Sequence, residues 1–77
     1  MECVIKNEES GRYLAAINFG CHHVEPLLWV PKGSYRIIRF ENEEEAEATI
    51  AFIGDVMDWE LAECLVIEKG DLQMATL

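Results

Sequence analysis

Cysteine and histidine stand side by side at Cys21, His22 and His23, the part of the sequence best suited to chemistry. A thiolate and an imidazole together suit zinc, and a Cys–His pair can form an activated nucleophile. In an extended chain, however, Cys21 and His23 share one side while His22 faces away. No Cys-x-x-Cys or His-x₃-His spacing supplies further ligands. The triplet therefore favours an ordinary loop, with a small metal-linked or thiol-based protein as an alternative.

Other catalytic patterns are weaker still. A catalytic pair of carboxylates needs a cleft that separates two pKa values, and a chain of 77 residues with one helix offers little cleft. The five glycines are scattered singly, so neither a phosphate-binding loop nor a dinucleotide fingerprint is present. The sequence thus predicts no catalytic residue, no metal site and no cofactor, and a protein that is not an enzyme.

The net charge of −9 is distributed very unevenly. Residues 1–40 carry five basic and four acidic side chains, whereas residues 41–77 carry eleven acidic side chains and a single basic one, Lys69. Such a field repels nucleic acid and anionic membranes and attracts basic surfaces. Aromatic side chains interleaved with arginines in the first half could stack bases, but the net charge argues against direct binding of nucleic acid.

The composition is that of one folded domain spanning residues 1–77. Hydrophobic residues make up 51% and charged residues 27%, which is a normal globular balance. Three cysteines at wide spacing are an odd number and favour reduced thiols over a disulfide framework. The first residues lack the pattern of a secretory signal and no apolar run is long enough to span a bilayer, so we expect a cytoplasmic protein.

The first half of the chain reads as two β-hairpins. Residues 2–6 and 12–19 flank a strong turn signal at residues 7–11, and period-two alternation predicts Tyr13, Ile17 and Phe19 as core residues. After a connection over residues 20–26, strands at 27–30 and 35–40 flank a turn that contains Pro31 and Gly33.

The second half begins with a helix, for which Asn42 is a good N-cap and Glu45 can complete a capping box. Ala46, Ile50, Ile53 and Met57 follow the spacing of a buried stripe, and Gly54 either interrupts or caps the helix. Residues 55–60 suit either a helix or a loop. Residues 61–68 read as a strand, followed by a turn at 70–71 and a short or frayed end.

The resulting order ββββαβ predicts an α+β fold, with an antiparallel sheet of four to five strands and one helix packed on one face. Five carboxylates between residues 41 and 47 suit a solvated, well-capped first helical turn. That explanation does not cover the acids that continue to residue 68 with almost no lysine, because a surface built for solubility usually mixes signs. The excess therefore suggests a functional acidic face. Carboxylates on a helix approach the spacing of backbone phosphates and can occupy arginine and lysine side chains that grip nucleic acid.

In size, acidity and layout the chain resembles small phage and prophage inhibitors, the anti-CRISPR proteins and other nucleic-acid mimics. The residues that carry the resemblance are the glutamates of 41–47 and the acids of 55–68. These inhibitors share no general motif, so the resemblance is compositional and transfers no individual site residue. It implies a non-enzymatic protein that binds a host defence complex, such as a CRISPR-Cas effector, in the host cytoplasm.

The first hypothesis is therefore an inhibitor or adaptor that docks on the basic groove of a nucleic-acid-handling complex. Trp59 would anchor the contact if it is exposed. The predicted partner-binding residues are Glu43, Glu44, Glu47, Asp55, Asp58, Trp59 and Glu60. An alternative is a homo-oligomeric accessory module, such as a homodimer, in which the basic strand 35–40 of one copy meets the acidic face of another. No sequence motif identifies the partner.

Overall fold

The computed structural model describes residues 2–20 and 25–69. The first hairpin is confirmed: strand β1 (Cys3–Asn7) and strand β2 (Arg12–Ile17) pair antiparallel. The Asn7 side-chain oxygen accepts hydrogen bonds from the backbone N–H groups of Glu9 (2.9 Å) and Ser10 (3.3 Å) and so starts the turn. Gly11 ends the turn with a φ of 75°, a conformation that favours glycine.

The two strands of this hairpin separate after two residue pairs, Lys6 with Tyr13 and Asn7 with Arg12. The chain around Phe40 enters the gap. Phe40 exchanges two backbone hydrogen bonds of 2.8 Å with Cys3, and the N–H of Ile38 donates to the carbonyl of Leu14 at 3.0 Å. A later segment is therefore held between the diverging ends of β1 and β2.

The predicted strand over residues 35–40 is wrong, since only Phe40 takes part in an isolated bridge. The turn before it does form, with Ser34 N–H donating to the Pro31 carbonyl at 3.2 Å and Gly33 at a φ of 88°. The Ser34 hydroxyl then accepts from the Arg36 N–H at 3.1 Å, and this local bond curls the chain into further turns rather than letting it extend.

The sheet has four antiparallel strands in the order β3-β2-β1-β4, where β3 is Leu27–Val30 and β4 is Leu65–Lys69. Helix α1 (Glu43–Val56) and the short helix α2 (Trp59–Glu63) precede β4. The α+β class and the antiparallel sheet are thus confirmed, with the order βββααβ in the described residues. The predicted strand 61–68 is wrong at its start, because the Asp58 side chain caps a helix that continues to Glu63.

Helix α1 begins as predicted, with the Asn42 side-chain oxygen accepting from the Glu45 N–H at 2.9 Å. Gly54 does not end it, since the helix continues to Val56. Ala46 and Ile53 are buried as predicted, Ile50 is half-buried, and Met57 is exposed because it follows the last helical residue.

The two faces of the sheet are covered differently. Alternation along β1 sends Ile5 into a cluster with Ala46 and Ile53 of α1, and sends Val4 to the other face, where it packs with Ile37. The helices therefore cover one face, and the loop of residues 31–39 covers the other.

Tyr13 is buried as predicted and Phe19 is partly buried, but the expectation for Ile17 is wrong, since 36% of it is exposed. A bulge between Leu14 and Ala16 shifts the register of β2, so that Ile17 no longer shares a face with Tyr13.

Replacing Asn42 by alanine should lower the free energy of unfolding by about 1 kcal/mol, because the Glu45 N–H loses its acceptor. Urea denaturation followed by circular dichroism measures this change. Asn42→Asp, which keeps a capping oxygen, should behave as wild type. Equal stability of the alanine and aspartate variants would contradict the role of the cap.

Candidate functional site

The predicted partner-binding residues fall into two groups at opposite ends of α1. Glu43, Glu44 and Glu47 lie in its first turns, whereas Asp55 lies at its C-terminal end. Glu44 and Asp55 are eleven residues apart, which corresponds to about 16 Å along a helix. The structure therefore brings Asp55, Asp58, Trp59 and Glu60 together and leaves the three glutamates, here called the acidic turn, at some distance.

Six consecutive exposed residues, 55–60, form the junction between α1 and α2 and are here called the junction patch. Three of them contribute carboxylates and three contribute apolar surface, and Trp59 is 54% exposed. Phe52 extends the apolar part by one helical turn and packs against Phe19, with ring centroids 5.3 Å apart. Residues 55–60, whose sequence suits either a helix or a loop, form the end of α1, a two-residue link and the start of α2.

The indole of Trp59 lies directly on the backbone of Gly54. A Cβ atom at residue 54 would lie 2.6 Å from Cε3, 2.7 Å from Cδ2 and 2.8 Å from Cζ3 of the ring. These distances are too short for real carbon contacts, so only glycine admits the ring in this position. One side of the indole is therefore held against α1 while about half of the residue faces solvent.

The link between the helices fixes where Trp59 emerges. The N–H groups of Met57 and Asp58 both donate to the carbonyl of Ile53, at 2.9 and 3.4 Å, and close the end of α1. The Asp58 carboxylate then accepts from the Glu60 N–H at 2.9 Å and starts α2. Asp58 consequently supports the fold of the patch as well as contributing charge.

Beside the patch lies an open hollow of about 250 Å³, lined by Asn7, Glu9, Asp58, Glu60, Leu61 and Cys64. Glu9 was not among the predicted site residues, because it reads only as part of a turn. The turn reaches α2 through a long-range hydrogen bond of 2.8 Å from the Glu8 N–H to the Cys64 carbonyl. Three carboxylates, Glu9 from the β1–β2 turn and Asp58 and Glu60 from the start of α2, thus line one hollow.

The surroundings of the Cys64 thiol do not favour its activation as a nucleophile. Burial raises its pKa, and the neighbouring carboxylates, Glu9 foremost, raise it further. Its Sγ lies 3.8 Å from Oε2 of Glu9 and 3.5 Å from the Glu60 carbonyl oxygen. Both causes disfavour the thiolate, which is the form that thiol chemistry needs.

In the acidic turn, Glu43 has an intramolecular partner. Lys69 donates a hydrogen bond to its carboxylate, and this bond and the charge of the lysine lower the pKa of Glu43. Glu44 and Glu47 pair with no basic side chain within residues 2–20 and 25–69, and the same holds for the three acids of the junction patch. Five of the six predicted carboxylates are therefore open to a partner's cations.

The hypothesis of a metal-linked or thiol protein based on Cys21, His22 and His23 concerns residues that lie outside the described ones. Where the structure does describe the chain, no three His, Cys, Asp or Glu side chains are arranged to hold a metal ion. The helices of that same portion are all too short or too polar to cross a membrane.

No protein-family model, no curated protein and no solved structure matches this chain. The geometry of the junction patch and the distribution of charge are therefore the features of the molecule that bear on its function.

Proposed function

We propose that this chain is a non-enzymatic binding protein that docks its junction patch on a basic groove of a nucleic-acid-handling complex and inhibits that complex in the cytoplasm. One observation carries the proposal. Trp59 is half exposed, is fixed against Gly54, and lies in the sequence among Asp55, Asp58 and Glu60, which form no ion pair within residues 2–20 and 25–69.

This arrangement has the properties of a binding hot spot. Aromatic anchors ringed by polar groups carry much of the energy of protein interfaces. A side chain already held in one orientation loses little conformational entropy when it is buried, so more of the contact energy appears as affinity. Trp59 supports the proposal on both counts, because its position is determined before a partner arrives.

The carboxylates specify the chemistry of the partner. Glu9, Asp58 and Glu60 line the hollow beside Trp59, and its volume suits one arginine or lysine side chain with Leu61 against the aliphatic stem. Arginine forms bidentate, charge-assisted hydrogen bonds with carboxylates. A protein that grips nucleic acid presents such cations in rows, and the acidic turn about 16 Å along α1 would meet the next ones.

Affinity capture from a lysate of the encoding organism tests the proposal. Wild type should capture a nucleic-acid-binding complex at low salt, lose it at high salt, and release it when DNA or RNA is added. Asp55→Gln/Glu60→Gln should reduce capture more than Glu43→Gln/Glu44→Gln/Glu47→Gln does, because Glu43 is already paired with Lys69. Asp58 is kept because it caps α2.

The matched control is Glu25→Gln/Glu41→Gln, which changes the net charge equally at exposed positions outside the junction patch and the acidic turn. Its capture should equal that of wild type. If the control and the patch variant lose the complex to the same degree, net charge alone explains the binding. If added nucleic acid fails to displace the complex, the proposed groove is wrong.

A further inference from the structure

The loop of residues 31–39 is basic, whereas the two helices are acidic. It contains Lys32, Arg36 and Arg39 and no acidic residue. Tyr35, at its tip, is 93% exposed, so its ring packs on almost nothing in the chain. The loop is nevertheless anchored at both ends, by buried Val30 of β3 and by buried Ile37. An exposed aromatic side chain among cations is thus presented on a fixed support.

The next stretch of sequence, residues 41–63, contains nine acidic residues and no basic one. It forms α1 and α2, which cover the face of the sheet that carries Ile5, whereas Ile37 of the loop packs on the face that carries Val4. The molecule therefore presents a cationic aromatic loop on one side and an anionic aromatic patch on the other.

We infer that the loop of residues 31–39 is a second interaction surface, and that its partner is the junction patch of another copy of this chain. Lys32 and Arg36 meet the carboxylates of Asp55 and Glu60, and Tyr35 packs beside Trp59. Because the two surfaces lie on opposite faces, the contact is head-to-tail and propagates into short chains or rings. The inference rests on the proposed docking role of the junction patch.

A second copy is the occupant that charge complementarity favours, because its junction patch supplies carboxylates and an exposed aromatic ring that match the cations and Tyr35 of the loop. A net charge of −9 repels an anionic strand, and it also repels a second copy at long range. At physiological ionic strength the Debye length is about 8 Å, well below the shortest extent of the molecule, 22 Å. Long-range repulsion is then screened, whereas ion pairs in direct contact persist. Self-association consequently needs moderate salt and dissociates at high salt.

This contact would regulate the protein. A copy whose junction patch is covered by a neighbour's loop cannot dock on a basic groove, so partner binding and self-association compete. Dilution or partner excess releases single copies, which gives binding a dependence on protein concentration.

A charge exchange between the two surfaces tests the inference by sedimentation velocity from 10 µM to about 500 µM in 150 mM NaCl. Wild type should show a weight-average mass that rises with concentration and falls back to that of the monomer in 1 M NaCl. Lys32→Glu/Arg36→Glu and Asp55→Lys/Glu60→Lys should each stay monomeric, because like charges then face each other. An equimolar mixture of the two variants should associate again, since each supplies the surface that complements the other.

The matched control is Arg12→Glu, which reverses an exposed basic residue outside the loop. It should associate as wild type does, while Arg36→Glu weakens association about tenfold or more. Tyr35→Ser should weaken it without any change in charge. A wild type that remains monomeric up to about 500 µM, or a variant mixture that fails to associate, overturns the inference.

The same variants separate the two proposals. If Lys32→Glu/Arg36→Glu captures the nucleic-acid-handling complex while wild type alone stays monomeric, the inference fails and the proposed function stands. If wild type self-associates and the variant mixture recovers association while no complex is captured, the proposed function fails and the self-contact is the role of the junction patch.

Discussion

Replacing Gly54 by alanine is expected to abolish partner capture while leaving the helix intact. A Cβ at residue 54 would lie 2.6–2.8 Å from three atoms of the Trp59 ring, so the indole must move away from residue 54. Alanine itself is favoured over glycine in a helix by about 1 kcal/mol, so helicity should not fall. Losing a preformed aromatic anchor should weaken binding roughly 30-fold or more, as expected for a hot-spot residue.

The emission of Trp59, recorded with Trp29 replaced by phenylalanine, should change when Gly54→Ala displaces the ring. The matched control is Ala48→Gly on the exposed side of α1, which lowers helix propensity by about the same amount and leaves the patch in place. Ala48→Gly should retain capture. Full capture by Gly54→Ala would show that the position of the indole is irrelevant.

Alkaline pH is expected to destabilise the fold through Tyr13. Its side chain is buried on the loop-covered face, and its hydroxyl donates a hydrogen bond of 2.8 Å to Glu68. Burial, and then the hydrogen bond and charge of Glu68, raise the pKa of Tyr13 from 10 to about 12. Between these values the unfolded chain loses the proton while the folded chain keeps it. The free energy of unfolding therefore falls as pH rises from about 10 to about 12, by up to roughly 3 kcal/mol in total.

Urea denaturation at several pH values between 8 and about 12 measures this loss. Tyr13→Phe should flatten the curve, at a cost of about 1 kcal/mol at neutral pH for the lost hydrogen bond. Tyr35→Phe is the matched control, because that tyrosine is 93% exposed and its removal should leave the pH dependence unchanged. All other side chains are the same in the three proteins, so the comparison isolates the substituted tyrosine. Parallel curves for wild type and Tyr13→Phe would refute the assignment to Tyr13.

Local sequence signals correctly predicted the elements that begin with hydrogen bonds between residues close together in the chain. The first hairpin follows from the turn residues after Asn7, and the start of α1 follows from Asn42. Residues 35–40 are predicted as strand because β-formers dominate them, and residues 61–64 because they lead into the β-forming run Leu65, Val66 and Ile67. There, single hydrogen bonds that the side chains of Ser34 and Asp58 accept from backbone N–H groups redirect the backbone, and such short-range competition overrides propensity.

The candidate site was predicted in its charges but not in its geometry. The carboxylates of Asp55, Asp58 and Glu60 can be read directly from the sequence. The contact of the Trp59 ring with Gly54 depends instead on the angle between α1 and α2, which no local sequence pattern encodes. Glu9 joins the site only because the β1–β2 turn packs beside α2. Contacts between residues far apart in sequence leave no periodic signal in a single chain.

Photo-crosslinking from residue 59 tests most directly whether the junction patch is a docking surface. Trp59 is replaced by a benzophenone amino acid, which keeps an aromatic group at this position, and the protein is irradiated in lysate of the encoding organism. We predict crosslinks to arginine- and lysine-rich peptides of a nucleic-acid-binding protein, which disappear when DNA or RNA is added or when Asp55 and Glu60 are changed to glutamine. Crosslinks that are insensitive to both changes, or that match those from the same amino acid placed at residue 12, would contradict the account.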